Sequence, residues 1–234
     1  MEKRELLYSG KAKEIYSTDE PCLVIMKYLD DLTALNGAKH GSFADKGHLN
    51  RQISDKIFVY LERRGIKTHY VKTINSQEVL VKKVSIIPLE VIVRNIAAGS
   101  FSKKYGVPEG TPLACSVLEF SYKNDELGDP MLSESHALAL GLATKRQIET
   151  ISKVALLIND ELKALFDNIN LRLIDFKIEF GIDNDGNILL ADEISPDSCR
   201  LWDKDTDKKL DKDRFRLDLG DVEAAYRDVA SRLT

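Results

Sequence analysis

The chain has 234 residues, 43% of them hydrophobic, and 34 basic side chains stand against 38 acidic ones for a formal net charge of −4. That length and apolar content suit one large domain or two small lobes around a packed core, and the mixed-sign charge fits a soluble surface rather than disorder. The acidic balance argues against a general nucleic-acid binder, and no run approaches the roughly 20 apolar residues of a membrane-spanning helix. The opening Met1-Glu2-Lys3-Arg4-Glu5 mixes acids with bases and leads into no secretory-type apolar core, so no export signal is expected. Cys22, Cys115 and Cys199 are odd in number and far apart. They read as reduced thiols of a cytoplasmic protein, not as a disulfide framework or a zinc site.

Short β-type runs dominate the first third: Leu6–Tyr8, Glu14–Tyr16, Leu23–Met26, His69–Val71 and Glu78–Val81, each bounded by turn residues. One helix interrupts them over Lys46–Arg64, where Leu49, Ile53, Ile57 and Leu61 recur every four positions and Gly65 supplies the stop. The apolar stretch Val84–Val93 follows, and then a segment from Ala97 to Leu142, rich in Gly, Pro and Ser, that reads as irregular. A long helix begins after Thr144, with Gln147 completing a capping box, and Ile148, Ile151, Ala155, Ile158, Leu162 and Leu165 mark its buried face. Asp221–Leu233 reads as a closing helix. The natural seam lies near Lys83–Pro88, between a mostly β lobe and a larger α+β lobe, and a cleft between lobes is a usual place for a ligand.

Four segments could carry chemistry. In Leu173–Gly181, alternation puts Ile174, Phe176, Ile178 and Phe180 on one strand face and Asp175, Lys177 and Glu179 on the other. That polar row suits either a solvated sheet face or the floor of a site, with carboxylates for a metal and a lysine for an anion. The turn Asp183-Asn184-Asp185-Gly186-Asn187 predicts a hairpin. If its loop holds an even number of residues, Asp192 on the returning strand joins the face of Lys177 and Glu179, and the two acids could share Mg²⁺, which prefers few carboxylates plus substrate phosphates. Gly10-Lys11-Ala12-Lys13 is a tight basic turn without a Walker spacing, either merely exposed or placed over a polyphosphate. Arg94, closing an apolar strand ahead of Gly99-Ser100, suits an anion or a structural carboxylate equally. Ser195–Asp203 reads as a polar, irregular loop pinned by Trp202, in which Arg200 has the fork geometry for phosphate or carboxylate. Lys204–Arg216 reads as solvated, with Lys212 and Arg216 worth watching. The four histidines show no ligand spacing.

Together these segments resemble one family, the SAICAR synthetases (phosphoribosylaminoimidazole-succinocarboxamide synthases) in their compact bacterial form. The resemblance rests on YSGKAKEIY at Tyr8–Tyr16, NGAK at Asn36–Lys39, IIPLEVIVRNIAAGS at Ile86–Ser100, LIDFKIEFG at Leu173–Gly181 and ADEISPDSCRLWD at Ala191–Asp203. It implies an α+β, two-lobed fold related to the ATP-grasp and protein-kinase clefts. Residues 1–84 would form an antiparallel β lobe and residues 85–234 an α+β lobe, with the ATP cleft between. The reaction it implies joins L-aspartate to the carboxylate of carboxyaminoimidazole ribonucleotide (CAIR) with ATP, giving ADP, phosphate and the succinocarboxamide through an acyl phosphate. Carried over by position, Gly10, Lys11, Ala12 and Lys13 would lie over the ATP phosphates, and Lys82 and Val84 would contact adenine at the lobe hinge. Glu179 and Asp192 would hold Mg²⁺. Arg94, Ser100, Asp175, Lys177, Asp197, Arg200, Lys212 and Arg216 would line the ribonucleotide pocket, with Lys177, Asp175, Arg94 and Asp197 nearest the chemistry. A cytoplasmic homodimer is the family expectation.

Overall fold

The computed structural model describes residues 2–34 and 37–233, so Asn36 of the NGAK motif lies outside the described residues. Strands β1 (Lys3–Ser9), β2 (Lys13–Thr18) and β3 (Leu23–Tyr28) form an antiparallel meander. Gly10 makes the first corner: its N–H donates to the Lys13 carbonyl at 2.8 Å, and a Cβ there would lie 2.9 Å from the Tyr8 ring. The small ribbon of β4 (Asp31–Ala34) and β5 (Lys39–Ser42), absent from the sequence reading, leads into helix α1 (Lys46–Glu62). Strands β6 (Tyr70–Thr73) and β7 (Glu78–Lys82) complete a five-stranded sheet in the order β1-β2-β3-β7-β6. Alternate residues share a strand face, so Val24, Met26 and Tyr28 meet Val79 and Val81 in a compact apolar layer.

The second sheet is built on β8 (Ser85–Ile96), which the apolar stretch at Val84–Val93 foretold in part. Helix α2 (Gly99–Tyr105), β9 (Pro112–Tyr122), β10 (Met131–Leu132) and α3 (Glu134–Ala139) occupy the segment expected to be irregular, and β9 is a full partner of β8. Helix α4 (Lys145–Asn168) starts as expected: Gln147 N–H donates to Thr144 Oγ1 and Thr144 N–H donates back to Gln147 Oε1 at 2.7 Å. Its buried stripe packs under β11 (Leu171–Ile182), which is flanked by β8 on one side and, on the other, by β12 (Ile188–Ala191) and β13 (Cys199–Asp203). The Ser195–Asp203 stretch is therefore half strand, correcting the loop reading. The short α5 (Asp213–Arg216) and α6 (Val222–Arg232) close the chain, the latter one residue inside the expected limits.

The main core lies between one face of the second sheet and helices α1, α4 and α6, with Ile53, Ile57, Ile151, Ile158, Phe166, Phe176, Ile178 and Phe180 all buried. Helix α1 thus joins the larger core although it precedes residue 84. The alternation expected for β11 holds for Phe176, Ile178 and Phe180, but a register shift between Leu173 and Asp175 takes Ile174 away to pack with Ala98 and Trp202. A short parallel bridge ties the two sheets: His69 N–H donates to the Leu190 carbonyl at 2.9 Å, and Leu190 N–H donates to Lys67 at 3.0 Å.

Candidate active site

Strand register alone lines up the first part of the site. On β11, Asp175 is paired with Arg94 of β8 on one side and with Arg200 of β13 on the other. Their side chains complete the row: Arg94 Nη1 donates to Asp175 Oδ2 at 2.9 Å, and Arg200 Nη1 donates to Asp175 Oδ1 and Oδ2 at 3.1 and 2.9 Å. Arg94 Nε reaches Glu119 Oε2 at 2.6 Å and its Nη2 donates to Ser100 Oγ at 3.1 Å. Of the two sequence readings of Arg94, carboxylate pairing is realised, with two of the five guanidinium N–H groups left over. Arg200 Nε donates to Asp213 Oδ2 at 2.7 Å, and Arg216 Nη1 takes the other Asp213 oxygen at 2.6 Å. Gly99, at φ 53°, makes room for this array, because a Cβ there would sit 2.4 Å from Arg200 Nη2.

The same face continues with a like-charged pair. Glu179 of β11 stands directly opposite Glu90 of β8, an arrangement that costs energy unless a cation is shared. Lys177 supplies one, its Nζ lying 2.7 Å from Glu90 Oε1 and 3.1 Å from Glu179 Oε1, while Lys123 Nζ adds a contact to the latter at 2.8 Å. Burial alone would lower the Lys177 pKa, but Glu179 and Glu90 raise it well above the lysine range. The Lys123 ammonium is held the same way, burial being outweighed by Glu179. The polar row is no solvated sheet face, for Asp175 and Glu179 are 4% and 3% exposed.

Asp192 joins Glu179, though not by the expected route. The hairpin loop Asp183–Asn187 holds an odd number of residues, and the partner of Glu179 is Ala191. Asp192, one residue past β12, adopts φ 59° and so breaks the alternation. Its carboxylate meets the Lys13 ammonium, and Glu193 Oε1 lies 2.8 Å from the same nitrogen. Burial works against both charges of this pair, yet Lys13 is held well above the lysine range by Asp192 and Glu193, and Asp192 well below the carboxylate range by Lys13 and Lys177. The other oxygen of Glu193, Oε2, is buried without a hydrogen-bond partner.

Two cavities divide the expected residues apart from Gly10 and Ala12, which line neither. One, of about 430 Å³, lies between the sheets, with Ile15, Val24, Met26, Val81 and Val84 as apolar walls; Lys13, Lys82, Lys123, Glu179 and Asp192 also line it. Val84 rests on Gly181, where a Cβ would meet it at 2.4 Å. The other, of about 530 Å³, is lined by Lys11, Arg94, Ser100, Asp175, Lys177, Asp197, Arg200, Lys212 and Arg216. They adjoin where Lys177 of one touches Glu179 of the other. Lys11, at the mouth, bonds Asp125 Oδ1 at 2.7 Å, whereas Ala12 contributes only a carbonyl, which accepts from Leu29 N–H at 2.8 Å. A third cavity, of about 580 Å³ beside Cys22, Lys67 and Asp185, gathers none of the expected residues but Lys82.

Asp197 is tied to three other side chains. Its Oδ1 accepts from Tyr226 Oη at 2.6 Å, its Oδ2 lies 2.8 Å from Lys46 Nζ, and Lys212 Nζ stands 3.6 Å away. Burial notwithstanding, Lys212 and Lys46 keep this carboxyl far below the usual range. Sequence reasoning missed Glu90, Lys123, Glu193, Lys46, Asp213 and Tyr226. Glu90 had a signal, since it lies on the same strand face as Arg94; Lys123 had none.

Known proteins place these features. Residues 6–233 match the SAICAR synthetase family. A phosphoribosylaminoimidazole-succinocarboxamide synthase from Finegoldia magna is 58% identical over 229 residues, 98% of this chain and 99% of that one; its Bacillus subtilis counterpart is 52% identical over 231 residues, 99% and 96% of the two chains. The crystal structure of the Ehrlichia chaffeensis enzyme superposes with a TM-score of 0.96 at 49% identity, covering 98% of each chain. A SAICAR synthetase in complex with ADP superposes at 0.95 with 45% identity, over 98% of this chain and 97% of that one. The antiparallel sheets, the paired cavities and this full-length similarity have one reading: the chain belongs to the SAICAR synthetase family, ligases of purine biosynthesis.

Proposed function

We propose that this chain joins L-aspartate to the carboxylate of CAIR at the expense of ATP, releasing SAICAR, ADP and phosphate through an acyl phosphate of CAIR. The observation that carries the reading is the contact of the two cavities at Lys177 and Glu179. A nucleotide between the sheets would point its phosphates at a ribonucleotide carboxylate held in the arginine-lined cavity. The apolar walls at Val24, Met26, Val81 and Val84 suit adenine, with Lys82 at the hinge, and the ADP bound to a related synthetase supports the choice. Gly10, Lys11, Ala12 and Lys13 lie over the phosphates. Arg94, Ser100, Arg200 and Arg216 hold the ribonucleotide's phosphate and carboxylate, and Lys212 lines the same pocket. Asp175 fixes the two arginines, Asp197 fixes the loop beneath them, and Lys177 stabilises the carboxylate as it is phosphorylated.

Two carboxylates facing one cavity, Glu179 and Asp192, fit a site that takes a cation together with phosphate oxygens once the lysines now paired with them turn to the phosphates. Mg²⁺ held there would neutralise charge moving between the phosphates. Residues 1–84 and 85–234 act as the two sides of the cleft, with α1 packed into the larger side. No helix among the described residues is long and apolar enough to cross a membrane. The family resemblance carries the homodimer and the cytoplasmic setting.

The test is ADP release from Mg²⁺-ATP, CAIR and L-aspartate with each omitted in turn. Loss of release on every omission supports the ligase. Release without aspartate would mean a hydrolysed acyl phosphate, and none under any combination, with ATP still bound, would mean a binding module.

A further inference from the structure

Amide formation requires a proton acceptor, because L-aspartate arrives with its α-nitrogen as an ammonium whose lone pair is occupied. The carboxylates around the arginine-lined cavity are poor candidates. Asp175 receives N–H groups from Arg94 and Arg200, Glu90 faces Lys177, and Asp197 is shared by Tyr226 and Lys46. Asp129 Oδ1 accepts the Asn124 N–H at 2.8 Å. No histidine or tyrosine among the described residues lines the cavity.

Three lysines do line it, and they differ. Lys11 is half exposed at the rim and bonded to Asp125. Lys177 is clamped between Glu90 and Glu179. Lys212 has a side chain 14% exposed, and its nearest carboxylate oxygen, Asp197 Oδ2, lies 3.6 Å away and is already 2.8 Å from Lys46 Nζ. Its backbone N–H donates to the Pro196 carbonyl at 3.0 Å, which holds it against the 195–198 loop as the first residue before α5.

We propose that Lys212 accepts the proton that the aspartate ammonium loses as its nitrogen attacks the acyl phosphate. The inference rests on the acyl-phosphate reading above. The nitrogen lone pair forms the new C–N bond, the C–O bond to the phosphoryl group breaks, and its electron pair leaves with phosphate. One ammonium proton ends on Lys212 Nζ and passes to water when product departs, and the second, shed as the amide forms, leaves on the phosphate. The surroundings favour an amine that gives up its proton more readily than an ordinary lysine: burial, Lys46 on α1 and Arg216 on α5 disfavour its charge, and Asp197 and Glu193 oppose them without prevailing.

Hydroxylamine, largely uncharged at neutral pH, tests this, because it can attack an acyl phosphate without a base. Lys212→Arg fixes a positive charge that cannot take the proton, and Lys212→Met removes the nitrogen altogether. We expect the ratio of aspartate-supported to hydroxylamine-supported ADP release to fall about 100-fold in each. The rising limb of the pH profile of kcat with aspartate should also disappear. Equal loss with both nucleophiles, or a rise in the KM for CAIR alone with recovery in Lys212→Arg, would overturn the assignment and leave Lys212 as a binding group. Absence of CAIR hydroxamate in the unmodified enzyme would instead overturn the acyl phosphate, and the inference with it. Circular dichroism checks each variant for folding, and should Lys212→Met fail to fold, Lys212→Arg decides.

Discussion

The two cavities are charged by different means. In the arginine-lined one, the carboxylate at the centre, Asp175, and both of its partners lie on adjacent strands of one sheet, so the register that folds the sheet also aligns the guanidinium forks. In the cavity between the sheets, Lys13 comes from the first hairpin and reaches acids far along the chain, Asp192 and Glu193. The first region is made when one sheet is made, whereas the second is made only when two sheets meet. Arginine suits the former because its planar donors hold a fixed direction, and lysine suits the latter because a point charge on a flexible stem can exchange a carboxylate for a phosphate.

Breaking the cavity between the sheets should have the largest effect. Glu179→Ala is expected to lower kcat by about 1000-fold or more with the fold intact by circular dichroism. Unimpaired turnover at low Mg²⁺ would remove Glu179 from the metal site. On the other side, Arg200→Ala should raise the KM for CAIR about 100-fold and that for ATP less than about threefold, with Arg200→Lys recovering little. Gly99→Ala sharpens the point, since it leaves Arg200 in place but puts a methyl group where the guanidinium lies. Its steady-state kinetics should resemble those of Arg200→Ala, and normal kinetics would show that the guanidinium position is not critical. Lys11→Ala removes an exposed pair and should raise the KM for ATP about tenfold, leaving the urea midpoint unchanged.

The last effect concerns stability rather than turnover. Burial and the neighbouring Asp213 push buried Asp211 up to about 7, against the bonds it accepts from Asp213 and Leu201 N–H groups. A carboxyl that holds its proton longer in the folded than in the unfolded state makes stability fall as pH rises from about 4 to about 7. Asp211→Asn should flatten that slope by no more than about 4 kcal/mol across the window. An unchanged urea-unfolding slope would show that Asp211 is ionised throughout.

What the sequence disclosed follows the same division. Period-four apolar residues and a capping box gave α1 and α4, and alternation gave the polar row of β11 from Asp175 to Glu179. Arg94 was a candidate because it closes an apolar strand ahead of Gly99-Ser100, and Arg200 because of its fork geometry in a stretch read as a loop. Alternation cannot see a register shift, so Ile174 was placed on the wrong face. Nor can it see a left-handed residue, so Asp192 reaches Glu179 by a turn that no parity rule contains. Strand β9 was lost because Pro112 and a mixture of small and polar side chains disguise its partly buried face, and β13 because it spans only Cys199–Asp203. The residues that brace the site, Lys46 and Tyr226, come from helices whose periodicity records packing alone.

The hydroxyl of Tyr226 on Asp197 has a meaning for how the enzyme is made. Translation runs from the amino end, so every side chain that lines the two cavities is synthesised before residue 226, and the brace on Asp197 arrives afterwards. A nascent or prematurely terminated chain would therefore hold the substrate-facing residues yet lack the hydroxyl that secures their loop.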